Sequence, residues 1–241
     1  MNEQAAPTQD ALLARALAAL DAEGIDQAVT VARSGAEPLE AGRAFSDMSK
    51  MLYRNRKDVT GMIAIGEAGI AFCLQEAERA TEPASATELR KLARAIAYNT
   101  ATNCWPGWGD DGIRIEPHHL QAGLALAGTC RDLVEALQLG PRPLGGAYWL
   151  IGALKLAAGE PLHALSDFQH AQQVFAAGGL KPFELMARGY AALAQKADPA
   201  SAAVGAQELA SALQALRDEG SKDSLFFAEQ IVIAERILLA Q

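Results

Sequence analysis

The chain has 241 residues, a net charge of −8, 50% hydrophobic residues and only 6% aromatic ones. A chain of this length buries about 70% of the surface its unfolded form exposes, so its core needs no disulfide or metal staple. The acidic balance argues against a general nucleic-acid surface, which needs clustered cations.

Apolar residues recur at helical spacing from the first segment onward. Leu12, Leu13, Ala16, Leu17 and Leu20 make one stripe, and Gly24 ends it. Ile25–Ala32 reads as a short second helix. Gly35-Ala36-Glu37-Pro38 is a break, with Pro38 suited to a first helical turn. Ala41–Tyr53 carries Ala44, Phe45, Met48, Met51 and Leu52 on one side. Arg54-Asn55-Arg56-Lys57 is a polar turn, and Asp58 is placed to cap the return helix Val59–Ala80. Glu82-Pro83-Ala84-Ser85 is the next break, and Ser85 with Glu88 has the spacing of a capping box. A helix is predicted from Ala86 to Trp105.

Pro106-Gly107-Trp108-Gly109-Asp110-Asp111-Gly112 is the longest irregular stretch. Pro117 opens a helix reaching Leu137, and Gly140-Pro141-Arg142-Pro143 stops it. Leu144–Ala158 and Pro161–Ala176 form a helical hairpin with its turn at Gly159-Glu160. Pro182–Lys196 and Ala203–Arg217 form another. Ser221–Leu239 is a final helix, with Phe226, Phe227, Ile231, Ile233 and Ile237 to bury. The β-branched runs Ile63-Ala64-Ile65 and Ile231-Val232-Ile233 sit inside helical patterns, so no strand is expected. The fold class is all-α.

About a fifth of the residues are alanine, which suits close helix packing and calls for a search for repeats. In Tyr148–Phe175, the residues Tyr148, Ile151, Gly152, Gly159, Ala164, Phe168 and Ala171 fall at characteristic spacings. The segment resembles a tetratricopeptide repeat, in which two antiparallel helices meet at small residues and aromatics fill the space between pairs. Gly152 and Ala164 take the small positions. Phe45-Ser46-Asp47-Met48-Ser49, Ala97-Tyr98-Asn99-Thr100-Ala101 and Leu185–Gly189 resemble further first helices. The Gly152 role then falls to Ser49, Ala101, Gly152 and Gly189, spaced 52, 51 and 37 residues apart. The family period is about 34, so the first two units carry longer helices or inserted loops.

The resemblance implies one domain over 1–241: a right-handed superhelical stack of helical hairpins at about 8–34, 38–80, 86–138, 144–177 and 182–217, with a C-terminal capping helix at 221–240. In such stacks the first helices line a concave groove. The helical phase puts Arg43, Ser46, Asp47, Lys50 and Tyr53 there, then Tyr98, Asn99, Thr102 and Trp105, then Trp149 and Leu150, then Met186 and Tyr190. Asn99 matches an asparagine that family members use to hold a bound peptide. The candidate partner-binding set is Lys50, Tyr53, Tyr98, Asn99, Thr102, Trp105, Trp108, Trp149 and Tyr190.

The segment Trp105–Gly112 holds two of the three tryptophans, three glycines and two aspartates. It reads either as a lip over the groove, with Trp108 in contact, or as a plug whose tryptophans bury. Adjacent His118 and His119 point about 100° apart and do not easily share one ion. His163 and His170 share a helix face two turns apart, which suits surface residues. Cys73, Cys104 and Cys130 sit in apolar helix contexts, as small buried thiols do. No metal or cofactor is expected, and no phosphate loop, nucleophile elbow or dinucleotide fingerprint is present.

Three cysteines and a polar N-terminus, Met1-Asn2-Glu3-Gln4, predict a cytoplasmic protein. The longest uncharged stretch, Ala95–Gly109, is too short and too polar to cross a membrane. The expected function is a non-catalytic binding scaffold that captures a peptide or protein segment in its groove. One alternative is a small-molecule or enzymatic site at Trp105–Asp111. The other is self-association, with a homodimer as the partner state.

Overall fold

The computed structural model describes residues 9–34 and 37–239. Gly35 and Ala36 of the expected break, and residues 8 and 240 at the outer hairpin bounds, lie outside them. The described residues form eleven α-helices and no strand. Neighbouring helices pack in sequence order within each of two compact units, 1–103 and 104–241. The boundary falls inside the segment 86–138 that the sequence presents as one hairpin, so its two helices belong to different units.

The first unit holds α1 (Gln9–Glu23), α2 (Ile25–Arg33), α3 (Pro38–Arg56), α4 (Val59–Arg79) and α5 (Pro83–Asn103). Asp58 caps α4 by accepting a hydrogen bond from the Gly61 N–H at 2.8 Å. Phe45, Met48 and Leu52 from α3, Met62 and Ile65 from α4, and Ile96 from α5 are fully buried. Close approach is set by glycines on α4. A Cβ at Gly69 would stand 2.6 Å from Phe45, and one at Gly66 would stand 2.5 Å from Thr100. α4 is long and apolar enough to cross a membrane by length and composition, and 56% of that window is buried inside the protein. α5 starts at Pro83, before the expected cap. Ser85 therefore lies in its first turn, where proline's fixed φ already suits the helix.

The second unit holds a 3₁₀ turn (Pro106–Trp108), α6 (Pro117–Ala136), α7 (Pro141–Ala157), α8 (Pro161–Ala177), α9 (Lys181–Ala197), α10 (Ala202–Glu219) and α11 (Lys222–Leu239). The prolines expected to stop α6 instead open α7, because Pro141 needs no N–H partner at the first helical position. α7 pairs with α8, α8 with α9, and α9 with α10. α11 packs on α9, α10 and the 3₁₀ turn. A Cβ at Gly152 would lie 2.9 Å from the Phe168 ring and 3.2 Å from the Ala164 carbonyl oxygen, so α7 and α8 touch where the repeat resemblance puts the small residues. Tyr148 is only half-buried. Its ring lies 4.0 Å from that of His170, and its hydroxyl donates to Glu135 at 3.2 Å.

Candidate functional site

The candidate residues fall into two sets, one in each unit. In the first unit, Lys50 is half-exposed and pairs with Asp47 at 3.0 Å. Tyr53 is buried in α3. On α5, Tyr98 and Thr102 are half-buried, and Asn99 between them is exposed.

In the second unit the aromatic residues turn inward. Trp105, Trp149 and Tyr190 are 1%, 5% and 1% exposed. Their rings are mutual neighbours, with centroids 5.6 Å apart for Trp105–Trp149, 5.9 Å for Trp105–Tyr190 and 5.4 Å for Trp149–Tyr190. Phe168 extends the group 5.5 Å from Tyr190. Trp108 closes it edge-on, 4.9 Å from Trp105, and remains half-buried. The expected groove face of α7 and α9 is therefore filled by protein. Met186, also read as a groove residue, is 6% exposed.

The loop is held by long-range contacts. Gln230 on α11 donates from Nε2 to the Gly107 carbonyl at 2.8 Å, both groups buried. A Cβ at Gly109 would meet Ile237 at 2.8 Å. Asp110 and Asp111 are exposed. Three polar atoms of the cluster, Trp105 Nε1, Trp149 Nε1 and the Tyr190 hydroxyl, are buried without a hydrogen-bond partner. Burial also holds the Tyr190 phenol far above its usual ionisation range, because a phenolate there would lose its hydration.

Two of the histidines make local contacts at helix starts. His119 is buried, and its Nδ1 accepts from the Glu116 N–H at 3.1 Å in a capping box at the start of α6. His163 accompanies Glu160 on the surface. Among the described residues no three His, Cys, Asp or Glu side chains come together as a metal-ligating group.

The open surface of the second unit lies elsewhere, along α8, α9 and α10. Leu165, Gln169, Gln172, Arg188, Ala191, Ala192, Gln195, Val204 and Glu208 line a recess of about 340 Å³. Past Gln169 and Gln172 it adjoins a second, about 460 Å³, bordered by Gln173 and Ala176. Arg188 is fixed by Glu208 at 3.1 Å and Ser211 at 2.9 Å. The side-chain amides of Gln169, Gln172 and Gln195 have no hydrogen bond among the described residues. Sequence reasoning passed over this trough. Its signal was the polar row Gln169, Gln172 and Gln173 at helical spacing on α8. No model of a known protein family matches the chain, and no curated relative matches it.

Proposed function

We propose that the protein is a non-catalytic, tetratricopeptide-like scaffold that captures an extended segment of a partner protein, not in the first-helix groove expected from the sequence, which Trp105, Trp149 and Tyr190 fill, but in the trough between the second helices α8 and α10. One observation carries this reading: three unpartnered glutamine amides line one recess together with the small side chains of Ala191 and Ala192. A carboxamide both donates and accepts, which matches the alternating N–H and C=O groups of an extended backbone. Alanines let that backbone come close. Leu165 and the exposed Val204 supply apolar contact, and Arg188 with Glu208 supplies fixed polarity at one side. The tight α7–α8 contact at Gly152 supports stacking of the tetratricopeptide kind. The three free, buried cysteines fit a reducing, cytoplasmic compartment.

The test is panning of a random-peptide display library against the purified protein. Enriched peptides should lose binding to a Gln169→Ala/Gln172→Ala variant and keep it for a Gln121→Ala control on α6. Peptides that bind both variants alike would refute the trough.

A second reading is a small-molecule site at the Trp105–Asp111 loop. The three unpartnered donors of Trp105, Trp149 and Tyr190 favour it, since they would suit a ligand rich in acceptors. A panel of small carboxylates that raises the melting temperature of the wild type but not of Trp108→Ala would support it. A panel without effect would discard it.

A further inference from the structure

Stacks of helical hairpins are normally closed by a helix with a polar outer face, because an apolar one invites association. The outer face of α11 is instead part apolar. Leu225, Phe226 and Val232 stand 46%, 51% and 44% exposed, and they are three of the five large apolar side chains left exposed among the described residues. Beside them lies an open recess of about 650 Å³, lined by Arg217, Leu225, Ala228, Glu229, Val232 and Ile233. Phe226 was expected to bury. It points outward instead, because α11 meets α9 and α10 through Ser224, Ala228, Ile231 and Ala234.

The charges on this face say what covers it. Lys222, Glu229 and Arg236 are seven residues apart, and at about 100° per residue they run in one line along the helix. Leu225 and Val232 flank the line on one side, Phe226 and Ile233 on the other. None of the three charges has an ion pair or hydrogen bond among the described residues. The order is plus, minus, plus. Two copies of α11 meeting antiparallel with Glu229 on the axis would set like charge against like. Moving the axis half a heptad, to between Leu225 and Phe226, sets opposite charges together at 222 and 229 and leaves Arg236 beyond the pairing. Lys222 then faces the partner's Glu229, and Glu229 faces the partner's Lys222. The two-fold keeps each row on its own side, so Leu225 meets the partner's Leu225 and Phe226 meets the partner's Phe226. The most exposed apolar pair of the helix is thereby buried at the centre, with an opposite-charge pair at each side.

We propose that the protein forms a two-fold homodimer through α11, paired antiparallel about an axis between Leu225 and Phe226. The register differs from an ordinary sticky face in a measurable way. Sedimentation equilibrium of the wild type should give twice the 25.4 kDa chain mass. Glu229→Lys and Lys222→Glu each turn both charge pairs repulsive, and each should weaken dimerisation by about tenfold or more. Mixing these two single variants should restore a dimer containing one copy of each. The Lys222→Glu/Glu229→Lys double variant should dimerise alone. Arg236→Glu should leave the dimer intact. All three positions are exposed, so circular dichroism should be unchanged in every variant. A wild type that stays monomeric over the accessible concentration range would overturn the proposal and leave α11 to a different protein. Dissociation by Arg236→Glu but not by Lys222→Glu would overturn the register, as would mixed single variants that stay monomeric.

Discussion

Replacing Gly152 by alanine adds one methyl group where α7 meets α8. The new carbon would stand 2.9 Å from the Phe168 ring and 3.2 Å from the Ala164 carbonyl oxygen. Carbon contacts are comfortable at about 3.5–4.0 Å, so the ring has to retreat by several tenths of an ångström. It has little room, because Phe168 is fully buried against Tyr190. Overpacking of this kind costs about 1–3 kcal/mol. Against it stands about 1 kcal/mol gained because alanine is the better helix former. The net expectation is a loss of about 1 kcal/mol, or a melting point lower by roughly 3 °C. Gly128, inside α6, has nothing within 4 Å of its would-be Cβ, so Gly128→Ala keeps only the helix gain and should stabilise by about 0.5–1 kcal/mol. Gly205 is the opposite extreme. Its Cβ would meet the Lys196 backbone nitrogen at 2.2 Å, and backbone cannot step aside, so Gly205→Ala should cost more than Gly152→Ala. Urea unfolding followed by tryptophan fluorescence reads this order, since all three tryptophans lie in the second unit. Equal stabilisation by Gly152→Ala and Gly128→Ala would refute both the contact and the repeat register drawn from it.

Tyr190→Phe removes a buried hydroxyl that has no partner, so it should leave stability unchanged or raise it by up to about 1 kcal/mol in the same urea assay. A loss instead would reveal a partner for that oxygen. Gln230→Leu leaves the buried Gly107 carbonyl unpaired, which should cost about 1–3 kcal/mol and make Trp108 more open to acrylamide quenching. Burial pushes the Cys73 thiol from 9.0 up to about 12, so the unfolded chain gives up this proton at lower pH than the folded one. The first unit should therefore keep this contribution below pH 9 and lose it between pH 9 and 12. Far-ultraviolet unfolding of the wild type and Cys73→Ala across that window checks it, the variant showing the shallower decline.

The helices were legible in the sequence because their apolar residues recur every three to four positions and glycine or proline punctuates nearly every gap. Gly152, Ala164 and Phe168 meet as the repeat spacing implies, since a contact within one hairpin depends on neighbours in sequence. Contacts between distant segments were not legible. Helical phase showed that Trp149 and Tyr190 share a side of their helices, but not that Trp105 and the turn after it would fill that side. Phe226 carried the same apolar signal as Ile231, and only the packing of α11 on α9 separates them. The boundary near residue 103 was misread: the irregular stretch Pro106–Gly112 just after it was visible, but helical periodicity on both sides made it a turn inside one hairpin rather than a change of unit. His119 read as one of an awkward pair although Pro117 was read as the helix start, because Glu116 with a histidine at the third position is not the Ser/Thr with Glu/Gln pattern by which a capping box is recognised.

The Gln230–Gly107 hydrogen bond joins residues 123 positions apart. It ties the opening segment of the second unit to the helix furthest along the chain. During synthesis, Trp105 and Trp108 leave the ribosome long before the side chain that fixes their turn exists. At about 5–20 residues per second, the turn waits several seconds or longer for α11. The hairpins between can form from local contacts in that interval, but the aromatic cluster cannot be sealed until translation has passed Gln230. A nascent chain stalled at residue 220 should therefore carry tryptophans that are quenched more readily than those of the chain released at its full length.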